Sequence, residues 1–600
     1  MKKILLGILI GLTFFACNEK ETSQEGLSEN ALALNKWFQG KYDRNLNDNP
    51  EALSNKGKKD RQFELNDISE EKALQRLEWA KTDLKELMAF ETEGLDEQTL
   101  LSYQLFKEKL ERNIANAKYM HYAYPENQMY GLHSGFPSFM INMHPIDNKE
   151  DALAYISRLN AFEKKCNQLL DNMKIREAEG IIVPAFAFDY VIQDCINIIN
   201  KDKAVEENIF VKDLTKKLNK LEPKLVAQDS ILNVAKQSVA DKVRPAYKKL
   251  IVYLKKLKPK APNDDSVGVW RLQDGDAFYQ AKLEEITTTK LTGDEIFDIG
   301  IKEVARIQDE MRAIMTQVGF EGNLNEFFVF MRESKQFYFQ DSDAGRDSLN
   351  KGYVKIIDDM YAKVDEYFNI QPKSKLIVKP VEAYREKSAG KAFYSSGTVD
   401  GSRPGMYYFN AYKMEDMPKY EMEALAFHEG VPGHHFQVSI AQELGDDIPE
   451  FRKHGAYTAY VEGWGLYSEY LGKEMGFYKD PYSDFGRLAM EIWRACRLVV
   501  DAGLHHKKWS RTKAIQYLAD NTPSSRSACV KAIERYVVLP GQATAYKIGM
   551  LKILELRKKA KDQLGDKFDI KAFHDVVLKS GALPLSVLED RVNLWIEANK

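Results

Sequence analysis

Seven of the chain's ten histidines lie beyond residue 427, and three sit in one phrase, Phe427-His428-Glu429-Gly430-Val431-Pro432-Gly433-His434-His435. A histidine followed at once by a glutamate, with further histidines a turn or two later, suits zinc-assisted hydrolysis. Imidazoles hold the metal, and the adjacent carboxylate takes a proton from the attacking water.

The spacing departs from the usual one. Where two histidines lie four apart on a helix, both face one metal. Here His428 is six residues from His434 and seven from His435. At about 100° per residue, six positions place side chains on nearly opposite faces, and seven separate the Cα atoms by about 10 Å. Pro432 has no N–H for the His428 carbonyl, and its ring clashes there. A bulge around Val431-Pro432-Gly433 is therefore expected to turn His434 back towards His428. His434 is the expected second ligand, with His435 as the alternative. The competing possibility is that Pro432 simply separates two helices.

A catalytic zinc keeps three protein ligands and one open position. The stretch from Tyr457 to Leu471 reads as a helix rich in aromatic and small residues, in which Glu462 and Glu469 are seven apart and share a face. A carboxylate among Val461, Gly463 and Trp464 needs a partner if buried, and a cation supplies one. Glu462 is the expected third ligand, with Glu469 supporting or replacing it; pairing of both with Arg494 or Arg497 is the competing possibility. Hydrolysis also needs a donor for the developing oxyanion. Tyr546 and His505 are the chosen candidates, with Tyr536 and His506 beside them. Arg403, in the turn 400–405, is a weaker candidate for clamping a substrate carboxylate.

Most of the chain that must position these groups reads as helix. Apolar residues recur at three- and four-residue spacing over 70–88, 100–117, 149–172, 209–221, 231–257, 293–318, 348–370 and 513–518. Strand character is confined to 375–379 and 405–410. The second run precedes the histidine phrase closely and is expected either to line the cleft and pair with an extended substrate or to pack on the core with no ligand. A proline-rich polar break at 258–267 suggests a helical half, 31–262, and a site-bearing half, 263–600, one loop inside a single domain being the alternative.

The stretch 426–437 resembles the signature of the bacterial domain-of-unknown-function family 885. So do Val461-Glu-Gly-Trp-Gly-Leu-Tyr-Ser-Glu469, Val500-Asp-Ala-Gly-Leu-His-His506 and Arg535-Tyr-Val-Val-Leu-Pro-Gly-Gln-Ala-Thr-Ala-Tyr546. The likeness runs from about residue 30 to the C-terminus and is most specific over 390–590. It implies a lipoprotein with a helical fold similar to gluzincin-type zinc metallopeptidases. By that likeness His428, His434 and Glu462 hold Zn2+ and Glu429 is the base, with a deep channel admitting short peptides.

The start of the chain bears on compartment. Met1-Lys-Lys is followed by an apolar run, Ile4 to Ala16, that ends at Cys17. Thirteen residues fall short of the roughly 20 needed to span a bilayer. The pattern reads as a lipoprotein signal peptide over 1–17, with Cys17 lipidated and 18–30 a polar tether. Cys166, Cys195, Cys496 and Cys529 form no paired motif and are expected to be buried free thiols.

The chain has 600 residues, is 44% hydrophobic and carries a net charge of −3, enough apolar content for a large core and no basic excess for nucleic acid. The resulting expectation is a mainly α, zincin-like metallopeptidase fold with a small β element lining a central cleft. Its partners are a peptide substrate and, through Cys17, the membrane of the cell envelope. A metal-dependent hydrolase of a non-peptide amide or ester, or a non-catalytic peptide-binding lipoprotein, is the alternative.

Overall fold

Helices start where a side chain can satisfy the free N–H groups of their first turn. Ser28, Ser69 and Asp96 each accept such a bond at the head of a helix, and Thr292 with Glu295 forms a reciprocal capping box. The computed structural model describes residues 27–199, 204–382, 386, 390–398 and 403–600. The signal peptide 1–17 and the tether up to residue 26 lie outside the described residues. From Glu29 onwards the chain is already helical.

Nine helices organise the site and its walls. They are α1 (Lys149–Ala178), α2 (Gly293–Gln317), α3 (Asp343–Tyr361), α4 (Met422–Glu429), α5 (His434–Gln442), α6 (Thr458–Glu474), α7 (Pro481–His505), α8 (Arg526–Val538) and α9 (Ala545–Leu564). The fold is mainly α, as the periodicity implies. The run expected over 231–257 is interrupted by a π turn at Val239–Val243, just ahead of Pro245, whose missing N–H breaks the ladder. The run expected over 348–370 begins earlier, at Asp343, because Ser342 caps it, and it stops at Tyr361.

Two large apolar cores carry the molecule. One gathers Tyr155 and Phe162 of α1 with Leu250, Ile307, Phe327, Leu488 and Ile533, so it draws on residues from both sides of the 258–267 break. The other surrounds the histidine phrase and includes Tyr407, Phe427, Phe436, Trp464, Met550 and Ile553. Each such side chain, fully buried, contributes roughly 1.5–3 kcal/mol. All four cysteines after Cys17 are free and buried.

The β element is a three-stranded sheet of β1 (Leu376–Pro380), β2 (Ala392–Ser395) and β3 (Gly405–Phe409), in the order β1-β3-β2. β1 runs parallel to β3, with Leu376 opposite Gly405; β2 runs antiparallel, with Ala392 opposite Phe409. This corrects the role expected for 405–410. β3 is the central strand, paired on both sides, and Tyr407 and Phe409 are fully buried. It has no free edge to offer a substrate. The outer edge of β2 has no strand partner among the described residues.

α6 and α9 touch backbone to backbone. A Cβ added at Gly549 would lie 1.8 Å from the Ala459 carbonyl oxygen, and one at Gly463 would lie 2.5 Å from the Gly549 backbone. Only glycine permits that approach.

Candidate metal centre

α4 ends at Glu429 and α5 begins at His434, so the expected bulge inside one helix is instead a break between two. The Val431–Pro432 peptide is cis. Gly433 is pressed against the end of α4: a Cβ there would lie 2.0 Å from the His428 carbonyl oxygen and 2.2 Å from that of Phe427. Trp464 of α6 donates its indole N–H to the Pro432 carbonyl at 2.8 Å and ties the turn to the neighbouring helix. The consequence is the one the spacing required. The His428 and His434 rings come to 4.7 Å between centroids, with planes at 84°.

Glu462 of α6 faces both. Its Oε2 is 3.4 Å from His428 Nε2 and 3.6 Å from His434 Nε2. One ligand atom from each of the three residues lies within 4.8 Å of the others, the only such group among the described residues. Glu469, two turns on, approaches the same imidazole from its other nitrogen, with His428 Nδ1 to Glu469 Oε1 at 2.7 Å. With Nδ1 held by Glu469, the ring turns Nε2 towards Glu462 and His434. Gly465 leaves the room the ring needs, since a Cβ there would sit 2.7 Å from His428 Cε1.

The electrostatics favour positive charge between these groups. Burial would raise the Glu462 carboxyl, but hydrogen bonding to His428 and His434 holds it well below the ordinary range. Burial would lower His428, yet the Glu462 and Glu469 carboxylates bring it up to about 10. Two carboxylates around two imidazoles fit a divalent cation, and two histidines with one glutamate match a catalytic zinc donor set. Glu429, the last residue of α4 and next to His428, is half-buried, and its carboxylate makes no hydrogen bond to a described residue.

The other candidates separate clearly. His435, the alternative ligand, is fully buried away from the cluster; its Nδ1 lies 3.2 Å from the Tyr394 hydroxyl and 3.4 Å from Ser439 Oγ. Burial pushes it down to about 4. His505 is a core histidine rather than a catalytic one: Nδ1 accepts from the Val269 N–H at 3.2 Å and Nε2 donates to the Tyr536 carbonyl at 3.0 Å. Tyr536 is buried, with its hydroxyl accepting from Arg497 Nε at 2.9 Å. His506 pairs at the surface with Asp294 at 3.2 Å, and Arg403 is tied to the Ser396 carbonyl. Tyr546 lies beside the centre, its ring 6.4 Å from that of His428 and within 22° of parallel.

Two arginines of α7 complete the surroundings. Arg494 lies 3.7 Å from Glu469, and Arg497 stands 4.6 Å over the Tyr546 ring. Pairing with arginine thus holds for Glu469 but not for Glu462. Their three-residue spacing puts both on one helix face, a signal present in the sequence; that this face turns towards Tyr546 was not.

The sequence profile of the bacterial protein family of unknown function DUF885 matches residues 50–592. Among solved structures, a "putative lipoprotein" of Colwellia psychrerythraea is 30% identical, with 95% of this chain and 99% of that one covered at a TM-score of 0.89. A "putative lipoprotein of unknown function" from Shewanella oneidensis shares the fold at 17% identity and a TM-score of 0.72, over 93% of this chain and 99% of that one. No curated protein matches significantly. Among the described residues no helix is long and apolar enough to cross a membrane. The chain belongs to the bacterial protein family DUF885.

Proposed function

We propose that this chain is a zinc-dependent metallopeptidase acting on short peptides, held at the cell envelope as an exported lipoprotein through Cys17. The observation that carries the reading is the convergence of His428, His434 and Glu462 within 4.8 Å beside Glu429. Those three residues would hold the metal. Zinc bound there supplies a Lewis acid that polarises the scissile carbonyl and acidifies water.

The rest falls to the chain's own residues. Glu429, its carboxylate free of other hydrogen bonds among the described residues, takes a proton from the attacking water and passes it to the leaving nitrogen. The water oxygen bonds to the carbonyl carbon, the C–N bond breaks, and a carboxylate and an amine leave. Tyr546 donates its phenolic hydrogen to the developing oxyanion. Glu469 fixes the His428 tautomer, and Arg494 partners Glu469. An extended peptide runs beside β2, whose Tyr394 touches the residue next to His434.

The test uses the mature chain, zinc-reconstituted and incubated with a diverse peptide mixture, with products read by mass spectrometry. Cleavage by the wild type and none by Glu429→Gln supports the reading. An intact mixture with zinc bound rejects it.

A further inference from the structure

Arg497 presents a problem of charge. Its side chain is only 9% exposed, its Nε is bonded to the Tyr536 hydroxyl, and no carboxylate among the described residues pairs with it. Its Nη1 is buried with no hydrogen-bond partner. Against burial, the Tyr536 and Tyr546 phenols hold the guanidinium in its charged form, yet no opposite charge matches it, as buried charges normally require.

The missing partner has a place to sit. Arg497 lines a cavity of about 380 Å³ between α7 and α8, together with Trp493, Lys531, Arg535, Gln128 and Tyr190. Lys531 is exposed to the cavity and has no ion pair among the described residues. Arg535 spends Nη2 on Gln542 at 2.8 Å, and its Nε has no partner. The one carboxylate of the wall, Glu534, is already ion-paired with Arg511. Gln128 donates its amide to the Glu534 carbonyl at 2.8 Å and leaves Oε1 buried without a donor. The wall therefore offers unmatched positive charge and an idle acceptor side by side.

Of the cavity wall, Arg497 comes nearest the metal centre, through Tyr546. Tyr546 stands between them, its ring 4.6 Å from the Arg497 guanidinium and 6.4 Å from the His428 ring. One extended residue spans about 3.5 Å, so one or two residues bridge a scissile carbonyl at the centre and a carboxylate on Arg497.

We propose that this cavity receives the terminal carboxylate of a short peptide, which makes the chain an exopeptidase releasing one or two residues from the C-terminus. This rests on the peptidase reading above and gives it a direction along the substrate. Arg497 binds the carboxylate, and Lys531 and Arg535 add charge at its rim.

The proposal is tested with zinc-loaded Glu429→Gln protein, titrated calorimetrically with Ala-Ala-Phe and with its C-terminal amide. The acid is expected to bind at least tenfold more tightly, and adding Arg497→Gln is expected to abolish the difference. Equal affinity for acid and amide in the parent protein overturns the assignment, without requiring any cavity variant to fold. Turnover of the same two peptides by the wild type separates the two readings. Selective binding of the acid with no cleavage of either peptide rejects the peptidase and leaves the carboxylate site standing. Cleavage of the amide as fast as the acid rejects the carboxylate site and leaves the peptidase standing.

Discussion

His428 Nδ1 and Glu469 Oε1 lie 2.7 Å apart, with neither side chain more than 3% exposed. The carboxylate thereby decides which imidazole nitrogen carries the proton and which faces Glu462. Glu469→Gln can still accept at that nitrogen but loses the charge, and Glu469→Ala loses both. Zinc affinity, measured by competition with a chelator, is expected to fall about 10–100-fold for Glu469→Ala and less for Glu469→Gln. Unchanged affinity in both would remove Glu469 from the centre.

Ligand and base are separable. His434→Ala is expected to lose bound zinc by elemental analysis, while His435→Ala retains it, because His435 faces Tyr394 and Ser439. Glu429→Gln is expected to keep the metal and lose turnover by at least a hundredfold. Metal loss in His435→Ala with retention in His434→Ala would reverse the assignment.

That pair of residues shows what the sequence alone carries. The chemistry of the phrase 427–435 and the seven-residue match of Glu462 with Glu469 were legible, since both depend on local periodicity. The manner in which His434 meets His428 was not, because it depends on a close approach at Gly433 and on Trp464 from another helix. His505 misled for the same reason: the Val269 N–H that occupies its Nδ1 lies 236 positions away in sequence. β2 has only four residues, too few for an alternating pattern to stand out, so the central position of β3 was hidden with it. The lipid anchor at Cys17 was read from sequence and lies outside the described residues.

Buried histidines, His144 and His574 among them with His435 and His505, set an acid limit on stability. Burial pushes His574 down to about 3 and His144 to about 4, from an ordinary value of 6.5. Each donates to a backbone carbonyl and accepts at its other nitrogen, from Tyr467 or Arg158. The folded chain then binds fewer protons than the unfolded one below pH 6.5, so stability present above that pH is lost as pH falls towards 3–4. Each histidine contributes a slope of up to about 1.4 kcal/mol per pH unit in that window. Denaturant melts from pH 7 to 5 should show the decline, with a shallower slope in His574→Asn. Identical slopes would remove His574 from the account.

Gly549→Ala should be poorly tolerated although the change is a single methyl group. The added Cβ meets the Ala459 carbonyl at 1.8 Å, and backbone cannot rotate away as a side chain can. A loss of about 1–3 kcal/mol is expected, read as a lower thermal midpoint, together with weaker zinc binding as α6 shifts. A variant as stable as the parent would mean that the two helices are not seated as described.

The contact of Gly463 with Gly549 has a consequence for how the centre meets its substrates. With no side chain between α6 and α9 at that crossing, the spacing from Glu462 to Tyr546 is set there by backbone dimensions rather than by rotamers. Contact of that kind leaves thermal motion no rotamer to work through at the crossing. Accommodation of peptides that differ in sequence then falls to the periphery, where Met129, Tyr190 and Lys531 stand open to water. A rigid anvil with a compliant rim processes many sequences with one geometry of attack.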